Sequence, residues 1–158
     1  MKTLIVYYSR DGGTRKVSAE LKTILGADIE EIKEPRGRAG PVGWMRAGME
    51  ASRGNIVPID EPKADPSTYD AVLIGTPIWA WTVSNPVRSY IAKSKDKLPR
   101  VAFFYTMGSS AGGTLQVMEE LTGRHHLATL EVTENQIKSG EYKEKAKTFA
   151  DVVKLAMA

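Results

Sequence analysis

Ala71-Val-Leu-Ile-Gly-Thr-Pro-Ile-Trp-Ala-Trp-Thr-Val-Ser-Asn-Pro-Val87 is the stretch whose reading decides the fold of this chain. Ala71 to Ile74 is an unbroken apolar run behind a lead-in rich in Pro, Asp and Ser, the pattern of a strand covered on both faces of a parallel sheet. The strand is expected to end at Gly75. Asn85-Pro86 has the form of an N-cap followed by proline at the first helical position, so a helix is predicted from Pro86 to Lys95. Thr76 to Ser84 are then a loop at the carboxyl end of a central strand, and that loop carries Trp79 and Trp81. In open α/β sheets this is the edge at which ligands sit.

Outward from there the same unit recurs. Lys2 to Tyr8 reads as a strand, followed by the polar Ser9-Arg-Asp-Gly-Gly-Thr14 loop and a helix with Val17, Leu21, Ile24 and Leu25 on one face, closed by Gly26. Asp28 to Lys33 is a short strand with a weak pattern, which suits a sheet edge. Pro35 to Gly43 is predicted as a loop, Trp44 to Ser52 as a short helix ended by Gly54, and Asn55 to Thr68 as an irregular connection before the strand Tyr69 to Gly75. Arg100 to Thr106 is another buried strand, with Met107 to Gly113 as its loop and Leu115, Met118 and Leu121 on the next helix, stopped at Gly123. His126 to Val132 is the last strand, and Tyr142, Ala146, Phe149 and Val153 mark one face of a final helix. Five strands alternating with five helices predict a doubly wound, five-stranded parallel sheet in the order 2-1-3-4-5, with helices on both faces and one domain over residues 1–158.

Composition removes several classes of function. There is no cysteine, hence no disulfide framework, thiolate metal site or cysteine nucleophile, and the expected compartment is the cytoplasm. Met1 to Ser9 has too short an apolar core for a signal peptide. The uncharged run from Ala71 to Val87 falls short of the roughly 20 apolar residues a membrane span needs and is broken by Gly75, Pro77, Ser84, Asn85 and Pro86, so no membrane partner is expected. The net charge of +3 comes from 22 basic and 19 acidic residues scattered along the chain, without the basic stripe a nucleic-acid partner needs. Arg36, Arg38, Arg46 and Arg53 are the one local grouping, read as a solvated face or as an attraction for NADPH phosphates or an acidic redox partner. His125 and His126 have no carboxylate or cysteine at ligand spacing and are read as surface or hydrogen-bonded residues, so no metal site is expected. Gly-x-Ser-x-Gly is absent, and no side chain is assigned a catalytic role.

Three loops carry the chemistry, after the first, third and fourth strands, and the predicted strand order makes them converge. Ser9 to Thr14 places two hydroxyls and two glycines before a helix N-terminus, a cradle for one phosphate; neither the dinucleotide fingerprint nor a P-loop is present. Here the chain resembles the flavodoxin family, whose phosphate loop reads T-x-T-G-x-T: Ser9-Arg10-Asp11-Gly12-Gly13-Thr14 matches it with Ser and Asp for the first two threonines. A Gly-Thr-Pro-x-Trp segment after the third strand and a Gly-Ser-Ser segment after the fourth extend the resemblance over the whole chain.

The resemblance implies FMN as cofactor. Ser9, Arg10, Asp11, Gly12, Gly13 and Thr14 would form its phosphate site, while Thr76, Pro77, Ile78, Trp79, Ala80, Trp81 and Thr82 on one side and Thr106, Met107, Gly108, Gly112 and Gly113 on the other would flank the isoalloxazine. Trp79 would stack on the ring, with backbone groups of Ile78, Ala80, Met107 and Gly108 at its polar edge. Three departures stand beside these matches: Ala80 where electron-carrying flavodoxins usually have Gly, no aromatic between Gly108 and Gly113, and a pI near 9.1 where such carriers are acidic. The functions left open are an FMN electron-transfer protein acting with a redox partner protein, an NAD(P)H-dependent FMN or quinone oxidoreductase with an open flavin face, and a flavin-free interaction module. The oligomeric state, monomer or dimer, is open.

Overall fold

The computed structural model describes residues 1–35 and 39–158. Its elements are β1 (Thr3–Tyr7), α1 (Gly13–Leu25), β2 (Asp28–Glu31), α2 (Gly40–Arg53), β3 (Ala71–Trp79), β4 (Thr82–Val83), α3 (Asn85–Ser94), β5 (Arg100–Met107), α4 (Thr114–Thr122), β6 (His126–Thr133), α5 (Glu134–Ser139) and α6 (Tyr142–Met157). The parallel sheet runs β2-β1-β3-β5-β6, which is the predicted order of the five main strands, and β4 adds an antiparallel hairpin arm to β3.

Strand alternation divides the core between the two faces. Leu4, Val6, Val72, Ile74, Val101, Phe103 and Tyr105 pack with residues of α2, α3 and α4, among them Ala47, Ala51, Val87, Tyr90, Ile91 and Met118. Ile5, Tyr7, Leu73, Ala102 and Phe104 point the other way, onto Val17 and Leu21 of α1 and Ala146, Phe149, Ala150 and Val153 of α6. Both faces of the sheet are therefore covered, which is why β1, β3 and β5 read as continuous apolar runs rather than alternating ones. The register sets Tyr7, Gly75 and Phe104 in one row across the sheet. A methyl group at Gly75 would overlap the buried Phe104 ring, so this position has room for nothing larger than hydrogen.

β6 closes one edge of the sheet, and β2, beside β1, is the edge strand at the other. Its exposed or half-buried Asp28, Glu30 and Glu31 blunt the edge, and the irregular stretch from Asn55 to Thr68 covers it: the Glu30 carboxylate accepts from the amides of Lys63 (2.7 Å) and Ala64 (2.8 Å). The length of that connection thus has a structural purpose.

Four expectations need correction. β3 does not stop at Gly75 but continues to Trp79, because β5 goes on pairing with it as far as Thr106 opposite Pro77, and β4 takes up Ile78 and Trp79 after β1 has ended. α2 begins at Gly40 rather than Trp44, with Pro41 in its first turn, where the missing N–H costs nothing. α3 begins one residue early: Ser84 holds the N-cap position, its amide and hydroxyl both bonded to the buried Thr76 hydroxyl, while Asn85 Nδ2 donates to the carbonyls of Glu50 (2.8 Å) and Asn55 (2.6 Å) and so ties down the end of α2. The strands do not alternate with five helices, since α5 is an additional one. Of the predicted Pro35–Gly43 loop and the arginine grouping, Arg36, Gly37 and Arg38 lie outside the described residues. Among the described residues no helix is long and apolar enough to cross a membrane.

Candidate functional site

The β1–α1 loop is shaped by its own side chains. Ser9 Oγ accepts from the amides of Gly12 (3.0 Å) and Arg15 (3.3 Å), folding the loop back under the first turn of α1. Gly12 is at φ 94°, a left-handed conformation that suits glycine, and no atom stands within 4 Å of where its Cβ would be. The amides of Gly13 and Thr14 have no acceptor among the described residues, as is usual for donors of a first helical turn.

Arg10 is committed elsewhere: its guanidinium meets both oxygens of Asp11 at 2.9 Å and donates to the Gly40 carbonyl at 2.9 Å, stapling the loop to the start of α2. Arg15 is likewise taken by Glu31 at 2.5 Å. Thr14 turns its hydroxyl inward, 2.7 Å from that of Thr106, and so ties the loop to the end of β5. Replacing Thr14 by Val is expected to strand the buried Thr106 hydroxyl and cost about 1–3 kcal/mol. A lower urea midpoint, restored by Thr14→Ser, would verify this; an unchanged midpoint would contradict the hydroxyl pair.

Beside this loop lies an open cleft of ≈ 360 Å³, within the range of small-molecule sites of about 300–1,000 Å³. Ser9, Arg10, Asp11, Gly12, Gly13 and Thr14 form one wall, and Pro77, Ile78, Trp79, Thr106 and Met107 line it from the ends of β3 and β5. Trp79 is only 9 % exposed and meets Tyr8 edge to face at 5.5 Å, so its ring is held in place from behind. The β1–α1 loop and the carboxyl ends of β3 and β5 meet on one rim of the sheet.

Several residues singled out in the sequence do not reach the cleft. Thr76 is fully buried, its hydroxyl turned to Ser84 and the Pro77 carbonyl. Ala80 and Trp81 form the two-residue turn of the β3–β4 hairpin at φ 49° and 61°, with Trp81 70 % exposed. Gly112 takes φ 55° against that turn, where a Cβ would stand 2.5 Å from the Trp81 carbonyl oxygen. Gly112 therefore supports the hairpin from behind, and Gly108 and Gly113 stay outside the lining.

The cleft has further residues that the reading missed or undervalued: Lys16, Trp44, Glu134, Ile137 and Lys138. Glu134, Ile137 and Lys138 belong to α5, which opens on a reciprocal cap in which Thr133 accepts from the Gln136 amide and the Gln136 side chain accepts from the Thr133 amide. The spacing Thr133-x-x-Gln136 is a capping-box signature and was the signal that locates this helix. Among the described residues no carboxylate lies within ion-pair distance of Lys16 or Lys138. The histidines lie elsewhere, His126 Nδ1 at 3.0 Å and His125 Nδ1 at 3.3 Å from Glu119 Oε2. Their hydrogen bonds hold the Glu119 carboxyl below its ordinary range.

A sequence model of the flavodoxin family matches residues 2–129. The chain belongs to the flavodoxin family. Solved structures of the same fold include a flavoprotein of Lactobacillus acidophilus in complex with FMN, at 22 % identity and TM-score 0.68 over 89 % of this chain and 97 % of that one. An oxidised flavodoxin 1 of Bacillus cereus aligns at 15 % identity and TM-score 0.60 over 97 % of both chains. A WrbA-like flavodoxin of Agrobacterium tumefaciens aligns at 18 % identity and TM-score 0.63 over 98 % of this chain and 96 % of that one. No curated protein sequence matches the chain significantly. At these identities the structural likeness speaks for the flavodoxin fold alone.

Proposed function

We propose that this chain binds FMN in the cleft and passes electrons to and from a redox partner protein. The observation that carries the reading is one cleft that joins two unlike walls: the free amides of Gly13 and Thr14 at the start of α1, and the apolar surfaces of Trp44, Pro77, Ile78, Trp79 and Met107. A flat aromatic ligand with a single phosphate uses both. The amides and the partial positive charge of the helix end receive the phosphate, and the apolar wall receives the ring. The complex of the Lactobacillus acidophilus flavoprotein with FMN supports the same assignment. Bound FMN supplies the redox chemistry; the chain's part is to hold, orient and partly desolvate it.

Lys16 and Lys138 add two ammonium groups to the cleft wall against the carboxylates of Asp11, which Arg10 neutralises, and Glu134. Replacing both lysines by Ala is expected to weaken FMN about 3- to 30-fold, from about 0.3–1 kcal/mol per solvent-screened charge, and to leave riboflavin unchanged. Titrations at two salt concentrations check this, since the salt dependence of FMN binding should flatten in the variant. Equal losses for both ligands would place the phosphate elsewhere.

A second reading, an NAD(P)H-dependent FMN or quinone oxidoreductase, is favoured by the β5–α4 loop. No aromatic stands between Gly108 and Gly113, and the space beside Gly108 is open, so nothing from that loop covers the cleft. The deciding experiment is titration of the purified protein with FMN, followed by anaerobic addition of NADPH with and without a quinone. Flavin bleaching by NADPH and turnover of the quinone would select the reductase. FMN binding with neither would select the electron carrier. Failure to bind FMN would overturn both and leave an interaction module.

A further inference from the structure

We propose that the β3–β4 turn and the end of α2 form a docking surface for an acidic protein partner, with Trp81 as its anchor and Arg88 and Arg53 as its cations. The first observation is backbone strain. Ala80 and Trp81 are the described non-glycine residues with positive φ, and they stand where two-residue hairpin turns favour Asn-Gly or Gly-Gly. Residues in such conformations cost about 1–3 kcal/mol each and persist where the surroundings hold them. Here the surroundings are Gly112, whose bare Cα lies against the Trp81 backbone. The effect of the turn is to put an indole into solvent, 70 % exposed.

The second observation is a cation without a counterion among the described residues. The Arg88 guanidinium lies between this hairpin and the end of α2, donating to Thr82 Oγ1 at 3.3 Å and standing 3.6 Å from where a Cβ of Gly54 would be. Its Nε is buried and bonds to nothing, and burial lowers its affinity for the proton. Arg53, next to Gly54, is exposed and has no carboxylate within ion-pair distance among the described residues. The acid on this part of α2, Glu50, is engaged by Arg46 at 3.0 Å. A half-buried guanidinium lacking a carboxylate is a site that a carboxylate from outside completes, in the forked geometry arginine favours.

The third is the apolar surface around these charges. Val42, Trp44, Met45 and Met49 of α2 and Ile56 beyond it are all exposed, although α2 already buries Gly43, Ala47 and Ala51 on its opposite face. Trp, Met and Arg are the residue types that protein interfaces concentrate. Charge decides the occupant. In a symmetric contact between two copies the same patch meets itself, so Arg53 and Arg88 would face a second set of arginines. A surface rich in carboxylates has no such cost.

The surface adjoins the FMN cleft and rests on the redox reading for what the partner carries, but the charge preference is measurable without flavin. The probe is a basic c-type cytochrome and its succinylated, acidic form, compared by calorimetry against both apoprotein and FMN-loaded protein at low and high salt. The acidic form is expected to bind at least tenfold more tightly than the basic one at low salt, and to lose that advantage as salt rises. Arg88→Gln, Arg53→Gln and Trp81→Ser should each weaken it several-fold, with far-UV circular dichroism and FMN affinity of Arg53→Gln as controls on folding. Equal binding of the two forms, no binding of the acidic one, insensitivity to Arg88→Gln, or a salt-independent dimer by sedimentation that Trp81→Ser dissolves would each overturn the proposal. Failure to bind FMN would overturn the redox reading and leave the docking result standing.

Discussion

Gly75→Ala is expected to destabilise the fold by about 3 kcal/mol, the upper range for overpacking a filled core. The added methyl would enter the Phe104 ring, which is fully buried, in a sheet row closed on its other side by Tyr7. The ring cannot swing aside without leaving its contacts on α1 and α6, and the backbone cannot retreat because β1 and β5 hold it in register. For a domain of this size the loss corresponds to a melting temperature lower by roughly 6–12 °C. Thermal and urea unfolding of Gly75→Ala check the size of the effect. The double variant Gly75→Ala with Phe104→Leu should recover part of it, since the two changes share one volume. A melting temperature within a degree or two of wild type would show that the sheet relaxes there.

Trp79→Ala should weaken FMN and riboflavin alike, by about 10- to 100-fold, equivalent to about 1.4–2.8 kcal/mol. The reasoning is geometric: Trp79 lines the cleft while Tyr8 holds its ring from behind, so a ligand stacking there meets a surface fixed in advance. Removing so large a buried side chain also lowers stability by about 3–5 kcal/mol. Affinities are therefore to be compared at a temperature where the far-UV spectrum equals that of wild type. Trp79→Phe should keep most of the affinity and most of the stability. Unchanged riboflavin binding in a folded Trp79→Ala protein would move the ring site away from β3, and a loss for FMN alone would assign Trp79 to the phosphate.

The sheet was legible because burial writes itself into sequence. A strand covered on both faces must be apolar throughout, as in Ala71–Ile74 and Val101–Tyr105, and glycines at helix ends mark where the chain turns: Gly26, Gly54 and Gly123 all take left-handed φ. The β1–α1 side of the cleft was legible for a related reason, since a helix N-terminus that opens on Gly-Gly behind Ser, with no acidic residue in its first turn, has few uses. α5 was legible in principle through its capping box and was passed over because six residues carry too little periodicity to register.

Within the sequence lay the order of elements, the two-faced core and the Gly-bearing loop at the start of α1, all set by local pattern and by which residues water excludes. Tertiary structure alone decided which of two tryptophans two positions apart turns inward. Along β3 and into its hairpin, Trp79 falls toward Tyr8 and the cleft, while Trp81, in a left-handed turn clamped by Gly112, falls toward solvent. Tertiary contacts likewise turned Thr14 to Thr106 and tied Arg10 to Gly40. These partners lie ninety-two and thirty positions apart, and pairings over such separations follow from how the packed layers meet, which no window of neighbouring residues encodes.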